Sequence, residues 1–211
     1  VSRLDKDINA FGLSGTGKQI WFAQDVAINK TLGKDIYPDL PKNSARIYDD
    51  LNARHWDTWD DGSRSHVFTA SLNDSTLGPV VDIMAGEPFD TPMKPMGGGE
   101  EIAISTDGAR IAYTCKKMNG VEYATSTNSE IYLYELATGK TTNLSEGNKG
   151  YDRVPEFSPD GSRLVWQSMA EDGYEADQNR LILYDFKTRT KRDLAQGYDN
   201  SVESHHWSPN G

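Results

Sequence analysis

The sequence has 211 residues, with 22 Lys and Arg against 32 Asp and Glu and a formal net charge of −10. An acidic chain lacks the basic face that displaces counterions from phosphates, so nucleic acid is not an expected partner. The single cysteine, Cys115, excludes an intrachain disulfide and a multi-cysteine metal site, and no apolar run is long enough to span a membrane. We therefore expect a globular protein without a cofactor, a metal or a membrane span.

Two landmarks recur along the chain at a step of about 50 residues, the size of a propeller blade. A tight turn of the Ser-Pro-Asp-Gly type begins at Ser105, Ser158 and Ser208, and a related turn begins at Ser14. Two β-type segments, residues 131–136 and 141–144, recur as residues 181–186 and 191–194. Four short strands per repeat predict four-stranded β-propeller blades.

In chain order, the repeats predict blade A over about residues 10–83, blade B over 101–144 and blade C over 154–194. A fourth blade begins at about residue 201, with a first strand over 201–207. A propeller closes with roughly 4–8 blades, so the fold class is all-β, a partial propeller with a small helical insertion, expected to belong to a larger polypeptide. Because an open ring leaves apolar sheet uncovered, we expect self-association through its edges.

The connection between the second and third strands differs most between blades. It covers about residues 25–64 in blade A, 117–128 in blade B and 169–179 in blade C. These loops join equivalent strands, so all three are expected on one face of the disc. Excess loop length on one face is usually where function lies.

Within the blade A insertion, residues 43–51 are predicted to form a short helix capped by Asn43 or Ser44. Trp56 and Trp59 are expected to anchor the insertion onto the propeller. We therefore expect the insertion to pack against the propeller on the loop face.

Three other motifs are interpreted as structural. Gly12–Lys18 is similar to a phosphate-binding loop, but Gln19 replaces the required hydroxyl and a strand-like segment follows. Asp57–Gly62 is similar to the start of a calcium loop, but two later ligand positions lack oxygen. His205 and His206 are neighbours in a predicted strand, so they point to opposite faces and do not chelate one ion easily.

The repeat with Phe-Ser-Pro-Asp-Gly turns resembles the blades of TolB-like and prolyl-oligopeptidase-type propellers. A more specific resemblance lies in Ala45-Arg-Ile-Tyr-Asp-Asp-Leu-Asn-Ala-Arg-His-Trp-Asp-Thr-Trp-Asp-Asp-Gly62 and in Asp172-Gly-Tyr-Glu-Ala-Asp177. Both are similar to the dipeptidyl-peptidase and acylaminoacyl-peptidase branch of the prolyl-oligopeptidase family of serine peptidases. The resemblance implies a propeller that caps a C-terminal α/β-hydrolase domain holding a Ser-Asp-His triad.

This sequence has no Gly-x-Ser-x-Gly nucleophile motif, so no catalytic residue is carried over and the chain alone is predicted to be inactive. The resemblance implies a non-catalytic role, which is to gate and orient peptide substrates for the hydrolase domain. It also implies a periplasmic or secreted location, although a cytoplasmic one stays open. The alternative is a TolB-like propeller that binds a protein partner through its loop face.

One loop, Met169–Asn179, carries four acids and no base and is called the acidic loop below. Its simplest interpretation is a solvated surface loop. The functional alternative, which depends on the family resemblance, is an anionic patch for the ammonium group of a peptide. The candidate substrate-binding residues are Glu171, Asp172, Glu175 and Asp177.

Overall fold

The computed structural model describes residue 4 and residues 6–211. It is mainly β-sheet, with 36% of residues in strands and 6% in helices. Three larger antiparallel sheets follow one another along the described chain, one for each of blades A, B and C, and the insertion adds a two-stranded sheet. The predicted fold class, an all-β partial propeller, is confirmed.

Blade A combines a propeller sheet with the long insertion. Its strands β1, β2, β5 and β6 pair in that order, and β7 also pairs with β5. The elements are β1 (Ala10–Leu13), β2 (Gln19–Ala27), α1 (Gly33–Ile36), β3 (Arg54–His55), β4 (Thr58–Trp59), β5 (Ser63–Asn73), β6 (Thr76–Leu77) and β7 (Val81–Asp82).

Blades B and C are regular four-stranded sheets in which each strand pairs with its neighbour in the chain. Blade B begins with a 3₁₀ turn, and its second and third strands are joined by a loop that carries a short helix. The elements of blade B are the 3₁₀ turn Gly99–Glu101, β8 (Ile102–Ile104), β9 (Arg110–Cys115), α2 (Gly120–Thr125), β10 (Glu130–Glu135) and β11 (Lys140–Asn143). The elements of blade C are β12 (Asp152–Phe157), β13 (Arg163–Ser168), β14 (Arg180–Asp185) and β15 (Thr190–Asp193).

The repeated turns close the first hairpin of each blade. In blade C the Ser158 hydroxyl donates to Asp160 Oδ1 at 2.6 Å and accepts from the Arg163 amide at 2.9 Å. The serine thus satisfies the backbone where the strand resumes. The Ser14 turn joins β1 to β2, which is the expected hairpin and not a phosphate-binding strand-to-helix connection.

Two apolar cores join the blades. One lies between blades A and B around Trp21 and Tyr113, and the other lies between blades B and C around Ile131 and Trp166. Trp166 is fully buried and donates its indole N–H to Asp152 Oδ1 at 2.7 Å. Burial raises the pKa of Asp152 to about 6. Each blade therefore depends on its neighbour for much of its packing.

The other face of blade A is apolar and partly uncovered. Phe11 and Leu13 on β1 are 68% and 50% exposed. They share this face with Phe22 and Phe68, whose rings stack at 5.4 Å. The predicted self-association concerns this face and stays a prediction.

Two predicted elements are wrong. Residues 43–51 form no helix, because the Asn43 side chain accepts the Ala45 amide at 2.8 Å and closes a local turn. The following residues run extended, with the Ile47 amide bonded to Thr31 O. The short helix of the insertion is α1 instead.

The expected strand over residues 201–207 is also not formed. A strand forms where its backbone pairs with a neighbouring strand over several residues. This segment instead makes isolated hydrogen bonds to blade C. Val202 N–H donates to Asn179 O, and the Trp207 indole donates to Glu156 O at 3.2 Å.

Candidate functional site

The three loops between second and third strands are neighbours on one face, as expected. Gly120 of the blade B loop packs so closely against the Asp50 carboxylate of the insertion that a Cβ would clash. At the other end of this loop, the Thr127 amide donates to Asp172 of the acidic loop at 2.7 Å. The loops therefore form one continuous surface across the three blades.

A cavity of about 650 Å³ opens in this surface and is called the insertion pocket below. Its walls come from the blade A insertion, from residues 88–95 between blades A and B, and from residues 118–123 of the blade B loop. Residues far apart in sequence therefore meet around one space.

The base of the insertion pocket is an ion pair between Arg64 and Asp60. Two guanidinium nitrogens of Arg64 each lie 2.9 Å from an Asp60 carboxylate oxygen, and Nε donates to Pro88 O at 3.3 Å. Burial alone would raise the pKa of Asp60, but hydrogen bonds from Arg64 and the Gly62 amide outweigh it and lower that pKa. A two-point pair of this kind fixes the position of both side chains.

A second set of charges extends this pair along the wall. Asp90 lies 3.7 Å from Arg64 Nε and 3.6 Å from Lys94 Nζ, and Lys94 reaches Asp25 at 3.2 Å. Asp90 also accepts the Ser65 amide at 2.7 Å. Burial nevertheless raises the pKa of Asp90.

The lining of the insertion pocket is anionic, with six aspartates against three Lys and Arg. Asp61 accepts from the Ser63 amide at 2.8 Å, and Asp50 accepts from the Leu51 amide at 2.9 Å. Among the described residues, Asp49 has no hydrogen bond or ion pair through its carboxylate. The pocket therefore has carboxylate oxygens that remain free for a cationic ligand group.

Aromatic rings form part of the same pocket. Trp59 stacks on Tyr48 at 6.0 Å and lies under Arg54 at 5.4 Å, all within the insertion. Trp56 is 67% exposed. The prediction that both tryptophans anchor the insertion onto the propeller is therefore wrong, because their described ring contacts are internal to the insertion.

His66 braces the segment that carries Asp90. It is 1% exposed, with Nδ1 2.9 Å from Asp82 and Nε2 2.9 Å from Glu87 O. Because a carbonyl oxygen only accepts, Nε2 carries a proton. Both ring nitrogens have partners, so His66 serves packing and local structure.

The acidic loop uses its two aspartates to hold backbone. Asp172 accepts from the Ser126 hydroxyl at 2.8 Å and the Thr127 amide, and Asp177 accepts from the amides of Ala170 and Gln178 at 2.7 Å. For each carboxyl, burial would raise the pKa, but these hydrogen bonds outweigh it and lower the pKa.

The two glutamates of the acidic loop, Glu171 and Glu175, are exposed, and their carboxylates have no hydrogen bond within the described part of the chain. The four candidate residues therefore divide into two that shape loops and two that are free. Ammonium binding by this loop stays a prediction.

Sequence reasoning missed Arg64, Asp90 and Lys94 as components of a site. Asp90 and Lys94 belong to no motif, and only the fold brings them to the insertion. The sequence did contain one indication of the site: Asp60 and Arg64 have opposite charges and lie four residues apart at the end of the insertion, which is compatible with an ion pair.

No group of three or more His, Cys, Asp and Glu is placed to hold a metal ion among residues 4 and 6–211. Within the same part of the chain, no helix has the length and apolar character needed to cross a membrane.

Known sequences similar to this chain are dipeptidyl-peptidases. Dipeptidyl-peptidase 5 of Porphyromonas gingivalis is 44% identical over 202 residues, which cover 96% of this chain and 29% of that protein. A probable dipeptidyl-peptidase 5 of Emericella nidulans is 30% identical over 209 residues, which cover 92% of this chain and 29% of that protein. The chain thus spans less than a third of the length of these relatives. No protein-family model matches it.

Solved structures support the same fold. The acylaminoacyl peptidase of Pyrococcus horikoshii superposes with a TM-score of 0.56 at 12% identity, over 93% of this chain and 26% of that one. TolB of Acinetobacter baumannii gives a TM-score of 0.50 at 16% identity, over 98% of this chain and 36% of that one. At these identities the likeness concerns the fold alone. Together with the sequence relatives, it identifies the chain as a partial β-propeller of a dipeptidyl-peptidase family protein.

Proposed function

We propose that this propeller gates and orients peptide substrates for a C-terminal α/β-hydrolase domain of the same polypeptide. The observation that carries the proposal is the insertion pocket, an anionic cavity on the loop face lined by the blade A insertion, the connection between blades A and B, and the blade B loop. Its volume of about 650 Å³ lies in the range typical of ligand sites. The sequence relatives are named dipeptidyl-peptidases, which favours this role over a TolB-like binding module.

The ligand group that fits this lining is the free amino terminus of a peptide. An ammonium donates three hydrogen bonds, and Asp49 and Asp50 offer free carboxylate oxygens at the pocket. Both side chains are exposed, so a single contact with either is worth under about 1 kcal/mol. The pocket differs from an open loop because six aspartates line one space, so that one ammonium group can meet several carboxylates there.

The free glutamates of the acidic loop are the second candidate for the same group. Glu175 lies within the family-like stretch Asp172–Asp177 and is exposed to solvent, as Asp49 is. It does not line the insertion pocket, so its contact with an ammonium group would be that of a surface ion pair.

The test compares Asp49→Asn and Glu175→Gln in the full-length enzyme, with Glu135→Gln as the matched control. Glu135 is exposed and lies at the end of β10 farthest from the loop face. We expect Asp49→Asn to raise KM about fivefold for free-amine substrates but not for N-acylated ones, the equivalent of about 1 kcal/mol. Equal responses of both substrate classes, or none, would refute ammonium recognition by the pocket.

Three further statements stay proposals. The chain alone is expected to have no peptidase activity, because nucleophile, base and oxyanion hole must converge in one site. We also expect it to self-associate through the apolar face of blade A, and sedimentation of Phe11→Glu should show less association. A periplasmic or secreted location follows from the family resemblance, and fractionation of the source cells tests it.

A further inference from the structure

The wall of the insertion pocket opposite the insertion is the helix α2. Asn119, Gly120 and Tyr123 line the cavity from this side. Gly120 has a φ of +58° and leaves no space for a side chain beside Asp50. Tyr123 is near enough to Asp90 and Arg64 for both charges to affect its pKa, which burial and Asp90 raise. The position of α2 therefore determines the shape of the pocket on this side.

The helix α2 has little intrinsic stability. It is six residues long, and no side chain caps its N-terminus. Isolated helices of this length do not persist in water, because nucleation fixes many dihedral angles for few hydrogen bonds. Contacts outside the helix must therefore hold it in place.

One such contact comes from Lys116, which directly follows strand β9. Lys116 Nζ donates to Tyr123 O at 2.7 Å and also to Ser126 O, and it lies 4.4 Å from the centre of the Tyr123 ring. Burial lowers the pKa of Lys116, and the negative charge of Asp172 partly offsets this effect.

The other contact comes from the next blade. Asp172 Oδ1 accepts from the Ser126 hydroxyl at 2.8 Å and from the Thr127 amide at 2.7 Å, just after α2 ends. In return, the Gly173 amide donates to Thr127 Oγ1 at 2.9 Å. These bonds tie the acidic loop of blade C to the residues that follow the pocket wall.

We propose that Asp172 is a positioning residue of the insertion pocket: it holds the C-terminal end of α2 and thereby sets the pocket wall that carries Tyr123. This inference deepens the proposed function and rests on it for its effect on substrate. It also gives a candidate from the acidic loop a different role, because Asp172 would act on the substrate through α2 and not by contact.

The test uses Asp172→Ala and Asp172→Asn in the full-length enzyme, with Tyr174→Ala as control. Tyr174 belongs to the same loop, and its side chain is 56% exposed. The asparagine keeps one oxygen able to accept both hydrogen bonds. We expect Asp172→Ala to increase amide hydrogen exchange of residues 119–127 about tenfold without changing β9 and β10. Asp172→Asn should restore most of the protection, and Tyr174→Ala should have no effect.

Kinetics provide the second measurement. Asp172→Ala should raise KM for free-amine peptides about fivefold with kcat unchanged, and Asp172→Asn should stay within about twofold of the wild type. Unchanged hydrogen exchange in residues 119–127 of Asp172→Ala would overturn the inference. Faster exchange in Asp172→Ala with an unchanged KM would also overturn the inference, provided that Asp49→Asn raises KM. If Asp172→Ala exchanges faster but neither Asp172→Ala nor Asp49→Asn changes KM, the positioning role is supported and the proposed function is overturned.

Discussion

The insertion pocket and the acidic loop are both rich in carboxylates, but they use them differently. In the acidic loop, Asp172 and Asp177 bind backbone amides and a hydroxyl of nearby loops. In the insertion pocket, Asp90 interacts with Arg64 and Lys94, and its neighbouring carboxylates surround a cavity. The number of acidic residues in a stretch of sequence is therefore a weaker indication of a binding site than a cavity that the fold leaves between carboxylates.

Asp90 differs from the other carboxyls in the direction of its pKa shift. Burial raises the pKa of Asp90, whereas hydrogen bonds outweigh burial and lower the pKa of Asp60 in the same pocket and of Asp172 and Asp177 in the acidic loop. Carboxylates that are stabilised by donors serve the local structure. A carboxylate that is kept from water beside a cavity can respond to a ligand.

The largest expected effect is on the ion pair at the base of the pocket. Arg64→Ala removes the two hydrogen bonds to Asp60 and leaves Asp60 and Asp90 partly buried without this partner. We expect the free energy of unfolding to fall by about 2–3 kcal/mol, measured by urea denaturation. Arg163→Ala is the matched control, since Arg163 is 47% exposed in its side chain and 3.9 Å from Asp185. Arg163→Ala should lower the free energy of unfolding by under about 1 kcal/mol. Equal losses of stability in the two variants would contradict the difference in burial between the two arginines.

A smaller effect is expected in the acidic loop. Asp177→Ala removes acceptors for the amides of Ala170, Glu171 and Gln178, and should lower the free energy of unfolding by about 1 kcal/mol. Glu175→Ala in the same loop should lie within about 0.5 kcal/mol of the wild type. If the two substitutions had the same effect on stability, Asp177 would not organise the loop as described.

The smallest effect is on the dependence of stability on pH, where the contributions of Asp90 and Asp177 should differ in sign. Asp90 has a raised pKa in the folded state, so its contribution to stability falls as pH rises from the unfolded pKa through the folded one. Asp177 has a lowered pKa, so its contribution is present above the unfolded pKa and is lost as pH falls through the folded one.

Urea denaturation between about pH 3 and 6 can detect this difference in sign. The stability of the wild type relative to Asp90→Asn should decrease with rising pH, and its stability relative to Asp177→Asn should increase. Parallel slopes for the two variants would contradict the opposite environments of these carboxyls.

Much of the fold could be predicted from the sequence because repeats are a long-range signal. The turns at Ser105 and Ser158, spaced about one blade apart, identify blades B and C. The helix expected over residues 43–51 does not form, because the Asn43 side chain accepts the Ala45 amide and closes a turn. The spacing of apolar residues does not distinguish such a turn from the start of a helix. The strand expected over 201–207 failed because strand pairing depends on a partner and not on residue type alone.

The candidate site was only partly predictable. The loop face followed from the equivalence of the three connections, and the insertion was correctly expected to lie there. The insertion pocket itself required the fold, because Asp90 and Lys94 come from the connection between two blades and meet Arg64 only in space. Asp172 was singled out from the sequence, but its partners Ser126 and Thr127 lie in another blade.

The most direct test of the central claim is a crystal structure of the full-length protein with a dipeptide bound. We predict that the ammonium nitrogen lies within hydrogen-bond distance of a carboxylate of the insertion pocket, with Asp49 or Asp50 as its partner. An ammonium bound by Glu171 or Glu175 of the acidic loop, or only by residues outside this chain, would contradict the proposal.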